Sequence, residues 1–87
     1  MGPDEALKDP RRRAVGARES LKRVLAGNAR RLWVAKDADP AVVEAVVRAA
    51  EARNIPVAYV ETMAELGQRC GIDVKAACAV ETVAPRR

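Results

Sequence analysis

The feature that most constrains this chain is a repeated switch of hydrophobic period. Leu32-Trp33-Val34-Ala35 is an apolar run too short for a helix, set between Arg30-Arg31 and Lys36-Asp37. Its length and flanks predict a buried strand. Asp39-Pro40 then marks a helix start, with a carboxylate at the N-cap and proline at the first helical position. Val42, Val43, Val46, Val47 and Ala50 form one apolar stripe, while Glu44 and Arg48 pair at i, i+4 on the other side. Asn54 closes that helix, and Pro56-Val57-Ala58-Tyr59-Val60 reads as the next strand.

The same switch occurs on either side. From Ser20, Leu21, Val24 and Leu25 recur at helical spacing until Gly27-Asn28, a C-terminal stop, and Gly16 permits a tight entry. Thr62 with Glu65 three positions on has the form of a capping box, and opens a helix that turns Met63, Leu66 and Cys70 inward and stops at Gly71. Gly71 to Lys75 is a loop or short turn, Ala76 to Val83 a final strand, and Arg13-Ala14-Val15 a candidate short one. Alternation of this kind predicts an α/β layered fold with helices on both faces of a short mixed sheet, four-stranded if Arg13-Ala14-Val15 is counted.

A chain of 87 residues has room for one core. Residues 1–10 are expected to be a loose arm or one short helical turn, residues 11–84 the single domain, and residues 85–87 a basic tail. The apolar residues are mostly Ala and Val, with Trp33 and Tyr59 the only aromatics, which suits thin helices lying close on a sheet. Trp33, inside a strand, is expected in the core. No apolar run approaches the roughly 20 residues that cross a bilayer. The start, MGPDEALKDP, is acidic and polar, unlike a secretory signal, so the expected location is the cytoplasm.

Little in the chain favours catalysis. There is no histidine, the commonest general base, and two cysteines do not supply the roughly four ligands of a zinc site. Cys70 and Cys78 lack the C-x-x-C spacing and read as small buried hydrophobes. No glycine-rich phosphate loop is present. Asp37 and Asp39 are accounted for by a turn and an N-cap. The expectation is a protein that is not an enzyme and carries no cofactor or metal.

Charge is more informative. From Lys8 to Arg31 nine basic residues face two acidic ones, a net +7, whereas from Leu32 to Pro85 five face eight, a net −3. Such asymmetry points to a polyanion, with nucleic acid the leading candidate, although a solvated surface gives the same statistics.

Three segments sharpen this. VGARESLK, VAKDADP and ELGQRCGIDV, in this order and spacing, resemble the kink-turn-binding ribosomal protein family, over roughly Arg13 to Val83. The resemblance is greatest to its small bacterial branch. It implies a three-layer α-β-α sandwich, with a short mixed four-stranded sheet, that binds RNA sharply bent at a three-nucleotide bulge followed by tandem sheared G·A pairs. In the family, the N-terminal end of the first long helix enters the widened major groove beside those pairs.

The matching positions are Gly16, Ala17, Arg18, Glu19 and Lys22. A sheared guanine leaves N–H donors that Glu19 can accept, while Arg18 and Lys22 donate to guanine acceptors or phosphate. Gly16 allows close approach to the RNA, and the helix N-terminus adds free N–H groups. The resemblance further implies that the loop carrying Ile72, Asp73, Val74 and Lys75 packs apolar side chains on extruded nucleotides, with Ile72 and Val74 the candidates, and that Val43 packs on a flipped-out base. Val43 reads equally as helix core. Lys36 at a strand end is a candidate phosphate contact, and Arg13 belongs to an arginine run, Arg11-Arg12-Arg13, that adds RNA affinity. Arg18 stands where archaeal and eukaryotic members carry Asn, so it clamps backbone as readily as it reads a base.

The implied partner is a structured RNA holding a kink-turn, such as ribosomal RNA, a ribonuclease P-like RNA or a riboswitch, with no membrane and the protein a monomer on the RNA. The alternative is a ribosome-associated protein-interaction module whose basic face attracts RNA without specificity.

Overall fold

The chain alternates as the periodicity predicts, with a short helical turn added at the front. The computed structural model describes residues 5–83. Its elements are α1 (Glu5–Lys8), β1 (Arg13–Val15), α2 (Ala17–Leu25), β2 (Ala29–Ala35), α3 (Pro40–Ala52), β3 (Val57–Val60), α4 (Met63–Arg69) and β4 (Cys78–Thr82). The expected basic tail, 85–87, lies outside the described residues. Leu7 on α1 is fully buried in the core, so packing reaches back into the N-terminal arm.

The strands form one mixed sheet in the order β1-β4-β2-β3. β4 runs antiparallel to both β1 and β2, and β2 runs parallel to β3. Helices α2 and α3 pack on each other and on one face, and α4 and α1 cover the other. This is the three-layer sandwich. Along β4, Cys78 and Val80 lie in register with Val34 and Leu32, and side chains of this row meet α2 and α3. The alternate row, Ala79 and Glu81 opposite Trp33 and Arg31, faces α4 and α1.

Local chemistry sets the helix ends. Asp39 accepts from the Ala41 N–H at 2.9 Å, as its N-cap position requires. Asn54 closes α3 with φ 57°, a left-handed conformation that Asn tolerates better than most residues. At the end of α2, Gly27 takes φ 75°, its N–H reaches the Val24 carbonyl, and the Asn28 N–H reaches that of Arg23. Those two bonds make a Schellman stop. Only half of the expected capping box forms at α4. Thr62 accepts from the Glu65 N–H at 3.0 Å, but the Glu65 carboxylate turns forward to Arg69 instead of back to Thr62.

Three details differ from the sequence expectation. Val42 is half exposed, and the buried stripe of α3 is Val43, Val46 and Ala50. Leu25 is also exposed, because α2 presents Ser20, Val24 and half-buried Leu21 to the sheet, a face rotated from the Leu21-Val24-Leu25 pattern. Finally, β2 starts at Ala29, not Leu32. A register shift between Ala29 and Arg31 inserts Arg30 as an extra, unpaired residue. Without that bulge Arg30 would stand opposite Thr82 and point at the buried α2 face.

The bulge has a partner deeper in the sheet. Trp33 is buried, as expected, and its indole N–H donates to a Glu81 carboxylate oxygen at 2.7 Å. Glu81 is itself buried in the central strand, with Arg13 and Arg31 beside it in register. The Arg31 and Arg69 guanidiniums stand 5.8 and 5.6 Å from the Trp33 ring centroid, within cation–π range. Cys70 and Cys78 are free, buried thiols, and burial raises the pKa of both.

Candidate nucleic-acid interface

The candidate site begins where β1 turns into α2. Gly16 is the N-cap with φ 94° and ψ 158°, a region of backbone space essentially reserved for glycine. Its N–H donates to the Cys78 carbonyl at 2.8 Å, fixing the start of α2 to the start of β4. No side chain caps this helix. A Cβ at position 16 would meet open space, so glycine is required here by the backbone angle, and the space above it is accessible from solvent.

Beyond Gly16, Ala17 is half-buried against the core and offers the rim its backbone, while Arg18 and Lys22 are exposed at i, i+4. Glu19 lies between them, 42% exposed. Its two carboxylate oxygens stand 3.5 Å from the Lys22 ammonium and 3.8 Å from the Arg23 guanidinium. The carboxylate is therefore held on the helix surface by two cations, one of which, Arg23, was not among the expected site residues. Its acceptor is oriented before any partner arrives.

Backbone bonds bring further segments to the same end of the sheet. The Ala35 N–H donates to the Ala77 carbonyl, the Lys36 N–H to that of Val60, and the Ala76 N–H to that of Met63. The loop feeding β4, the exit of β2 and the starts of α2 and α4 thus share one rim. Within the loop, the Gly71 N–H reaches the Gln68 carbonyl and the Ile72 N–H that of Gly67, a second Schellman stop. That motif turns the residue after the glycine back onto its own helix. Ile72 is accordingly half-buried against the core, and Val74, 69% exposed, is the apolar side chain the loop presents outward. Asp73 and Lys75 are exposed beside it. Of the two apolar candidates in this loop, Ile72 packs against the core and Val74 is the more exposed. A Cβ at Gly67 would collide with the Val74 carbonyl, so this glycine lets the loop press onto α4.

Other expected residues fare differently. Arg13 does not join the rim. Its guanidinium donates to the Leu7 carbonyl at 2.8 Å and the Cys70 carbonyl at 3.4 Å, tying α1 and α4 together beneath the sheet. Val43 is 7% exposed, part of the core, and lines a shallow apolar groove of about 270 Å³ with Pro40, Val47, Val34 and Tyr59. Lys36 reaches the mouth of that groove, but its ammonium is bonded to Glu61 at 2.9 Å. Asp37 accepts from the Met63 N–H at 2.8 Å and so anchors the start of α4.

Among the described residues no group of three or more His, Cys, Asp or Glu side chains is placed to hold a metal. No described helix is long and apolar enough to cross a membrane. What the rim offers is an uncapped helix N-terminus, two exposed cations flanking one oriented carboxylate, and an exposed apolar side chain on an adjoining loop. It suits a ligand that combines phosphates, N–H donors and unstacked bases.

Comparison with known proteins agrees with this chemistry. The sequence model of the ribosomal protein L7Ae/L30e/S12e/Gadd45 family matches residues 3–86. An RNA-binding protein of Caldanaerobacter subterraneus subsp. tengcongensis is 43% identical over 77 residues, covering 88% of this chain and 94% of that protein. An RNA-binding protein of Geobacillus stearothermophilus is 38% identical over 63 residues, covering 72% of this chain and 77% of its own. Among solved structures, the 15.5kD RNA binding protein of Giardia lamblia superposes with a TM-score of 0.82 at 28% identity over 91% of this chain. This chain spans 66% of the length of that protein.

Proposed function

The chain belongs to the ribosomal protein L7Ae/L30e/S12e/Gadd45 family, and from that premise we propose that it is a non-catalytic RNA-binding protein that recognises kink-turns. The observation that carries the reading is the Gly16–Lys22 rim, where a carboxylate is held between cations at an uncapped helix start.

Each part has a task. The free N–H groups of the first turn of α2, with Arg18 and Lys22, take phosphate or guanine acceptors. Glu19 accepts from the guanine N–H donors that sheared G·A pairs expose, so the cations supply affinity and the one acceptor supplies selectivity. Val74 packs on an extruded bulge nucleotide, for which an apolar surface is the appropriate partner. A sharply bent RNA is charge-dense and samples extended forms when free. A ligand with differential affinity for the kinked form shifts that population, which is the whole mechanism required. The protein acts as a cytoplasmic monomer on ribosomal RNA, a ribonuclease P-like RNA or a riboswitch.

Titration calorimetry near physiological salt tests this with two RNA duplexes, one a standard kink-turn and one with its G·A pairs replaced by Watson–Crick pairs. Tight binding to the first alone is expected. Equal, weak and salt-sensitive binding to both would refute kink-turn recognition and leave a module with electrostatic RNA affinity only.

A further inference from the structure

The end of the sheet opposite this rim carries a second concentration of positive charge. Asp9-Pro10-Arg11-Arg12 is a tight turn: the Arg12 N–H donates to the Asp9 carbonyl, and the Arg11 N–H to the Asp9 carboxylate at 2.9 Å. The turn leaves the Arg11 and Arg12 side chains 72% and 55% exposed. Thr82 N–H donates to the Arg12 carbonyl on one side, and Ala29 pairs with Thr82 on the other. Arg11-Arg12 and Arg30-Arg31 therefore flank the end of β4 from both sides. The bulge presents Arg30 to solvent and Arg31 stays over Trp33.

Among the described residues few carboxylates oppose this group. Asp9 is shared between Arg11 and Arg12 at 3.6 and 3.4 Å, and Glu81 is buried and occupied by the Trp33 indole. What faces outward is a set of guanidiniums, whose planar forks match phosphate oxygens better than they match most protein surfaces. Strand β2, Ala29 to Ala35, runs between the two ends, and at about 3.3 Å per residue separates them by roughly 20 Å. A duplex arm leaving the Gly16 rim need run only that far to pass these arginines.

We infer that Arg11, Arg12 and Arg30 form a second RNA surface, which grips the phosphate backbone of a duplex segment without reading its bases. The surface adds to the kink-turn reading and does not depend on it. It lets one small protein hold two RNA segments at once.

The test uses the full chain, first saturated with an unlabelled minimal kink-turn RNA. A fluorescent Watson–Crick RNA duplex is then added and followed by anisotropy. The duplex is expected to bind on top of the first RNA, weakening about 40-fold between 50 and 200 mM salt if three phosphates are neutralised. The triple variant R11A/R12A/R30A should lose that binding and keep its kink-turn affinity within about twofold, with its melting temperature confirming the fold. Displacement of the duplex by the minimal kink-turn RNA would overturn the inference, because both would occupy one surface. So would duplex binding by the triple variant equal to that of the native protein, or polyglutamate competing as well as RNA of equal charge. If the kink-turn RNA itself does not bind, loss of duplex binding in the triple variant still supports this surface while the kink-turn reading fails.

Discussion

Glu19→Ala isolates the chemistry of the rim. In the free protein Glu19 makes two intrahelical ion pairs, with Lys22 at 3.5 Å and Arg23 at 3.8 Å, in a side chain 42% exposed. Pairs of this kind contribute about 0.3–0.5 kcal/mol each, and the better helix propensity of alanine offsets part of the loss. Stability should therefore fall by less than about 1 kcal/mol. Against a kink-turn, the variant loses a charge-assisted acceptor for guanine N–H donors, worth about 1.5–3 kcal/mol, or roughly 10- to 150-fold in Kd. Against a plain duplex, removing a negative charge from a cationic rim should leave binding unchanged or strengthen it. The measured quantity is the ratio of the two dissociation constants by calorimetry at fixed salt, beside a thermal melt. Glu19→Gln, which keeps one acceptor but not the charge, should fall between. Equal weakening toward both RNAs would refute the assignment, since Glu19 would then act by orienting Lys22 and Arg23. No change toward either would reduce it to a surface ion pair.

Four further outcomes are expected. Ile72→Asp places a charge on a side chain packed against the core and should destabilise the fold by about 2 kcal/mol or more in a denaturant titration, whereas Val74→Asp should stay within about 0.5 kcal/mol and lose roughly 5- to 100-fold in kink-turn affinity. Lys22→Ala should weaken kink-turn binding and lower the salt slope by about one unit if it meets phosphate; weakening at constant slope would point to a base instead. Glu81→Ala strands the buried indole N–H of Trp33 and should cost about 2 kcal/mol by urea unfolding, and native-like stability would mean water replaces the carboxylate without penalty. Burial raises both thiol pKa values above 9.0, so from about pH 9 upward the unfolded chain releases protons that the folded chain retains. Stability should fall there by up to about 1.4 kcal/mol per pH unit per thiol, and be unaffected by the thiols below it. Melts from neutral to alkaline pH, compared with Cys78→Ala, should show a shallower decline in the variant.

Much of this was legible along the chain because the signals are local. Asp39-Pro40, Thr62, Gly27 and Gly71 work through hydrogen bonds that span only a few residues, and each sits at the helix end its chemistry demands. The alternation of periods was enough for an α/β layered fold with helices on both faces of a mixed sheet. The exposed rim residues of α2 were also legible, since helical spacing alone puts Arg18 and Lys22 on one face.

Tertiary structure decided the rest, where a residue answers to partners far away in sequence. Ile72 and Val74 are alike in type, and only the backbone of the α4 stop determines which turns inward. Arg13 and Lys36 looked available for phosphate, but one is bonded to carbonyls of α1 and the α4 cap, and the other to Glu61 across parallel strands. Glu81 reads as a solvent-facing charge in a terminal strand. It is buried because β4 pairs on both edges and Trp33, 48 residues earlier, supplies its donor. The sequence by itself determined which segments are helix or strand, because those choices depend on neighbours within a turn or a pleat. Which charges remain free to meet RNA was settled by the folded sheet, because a charge is satisfied by whatever the fold places within about 3 Å of it.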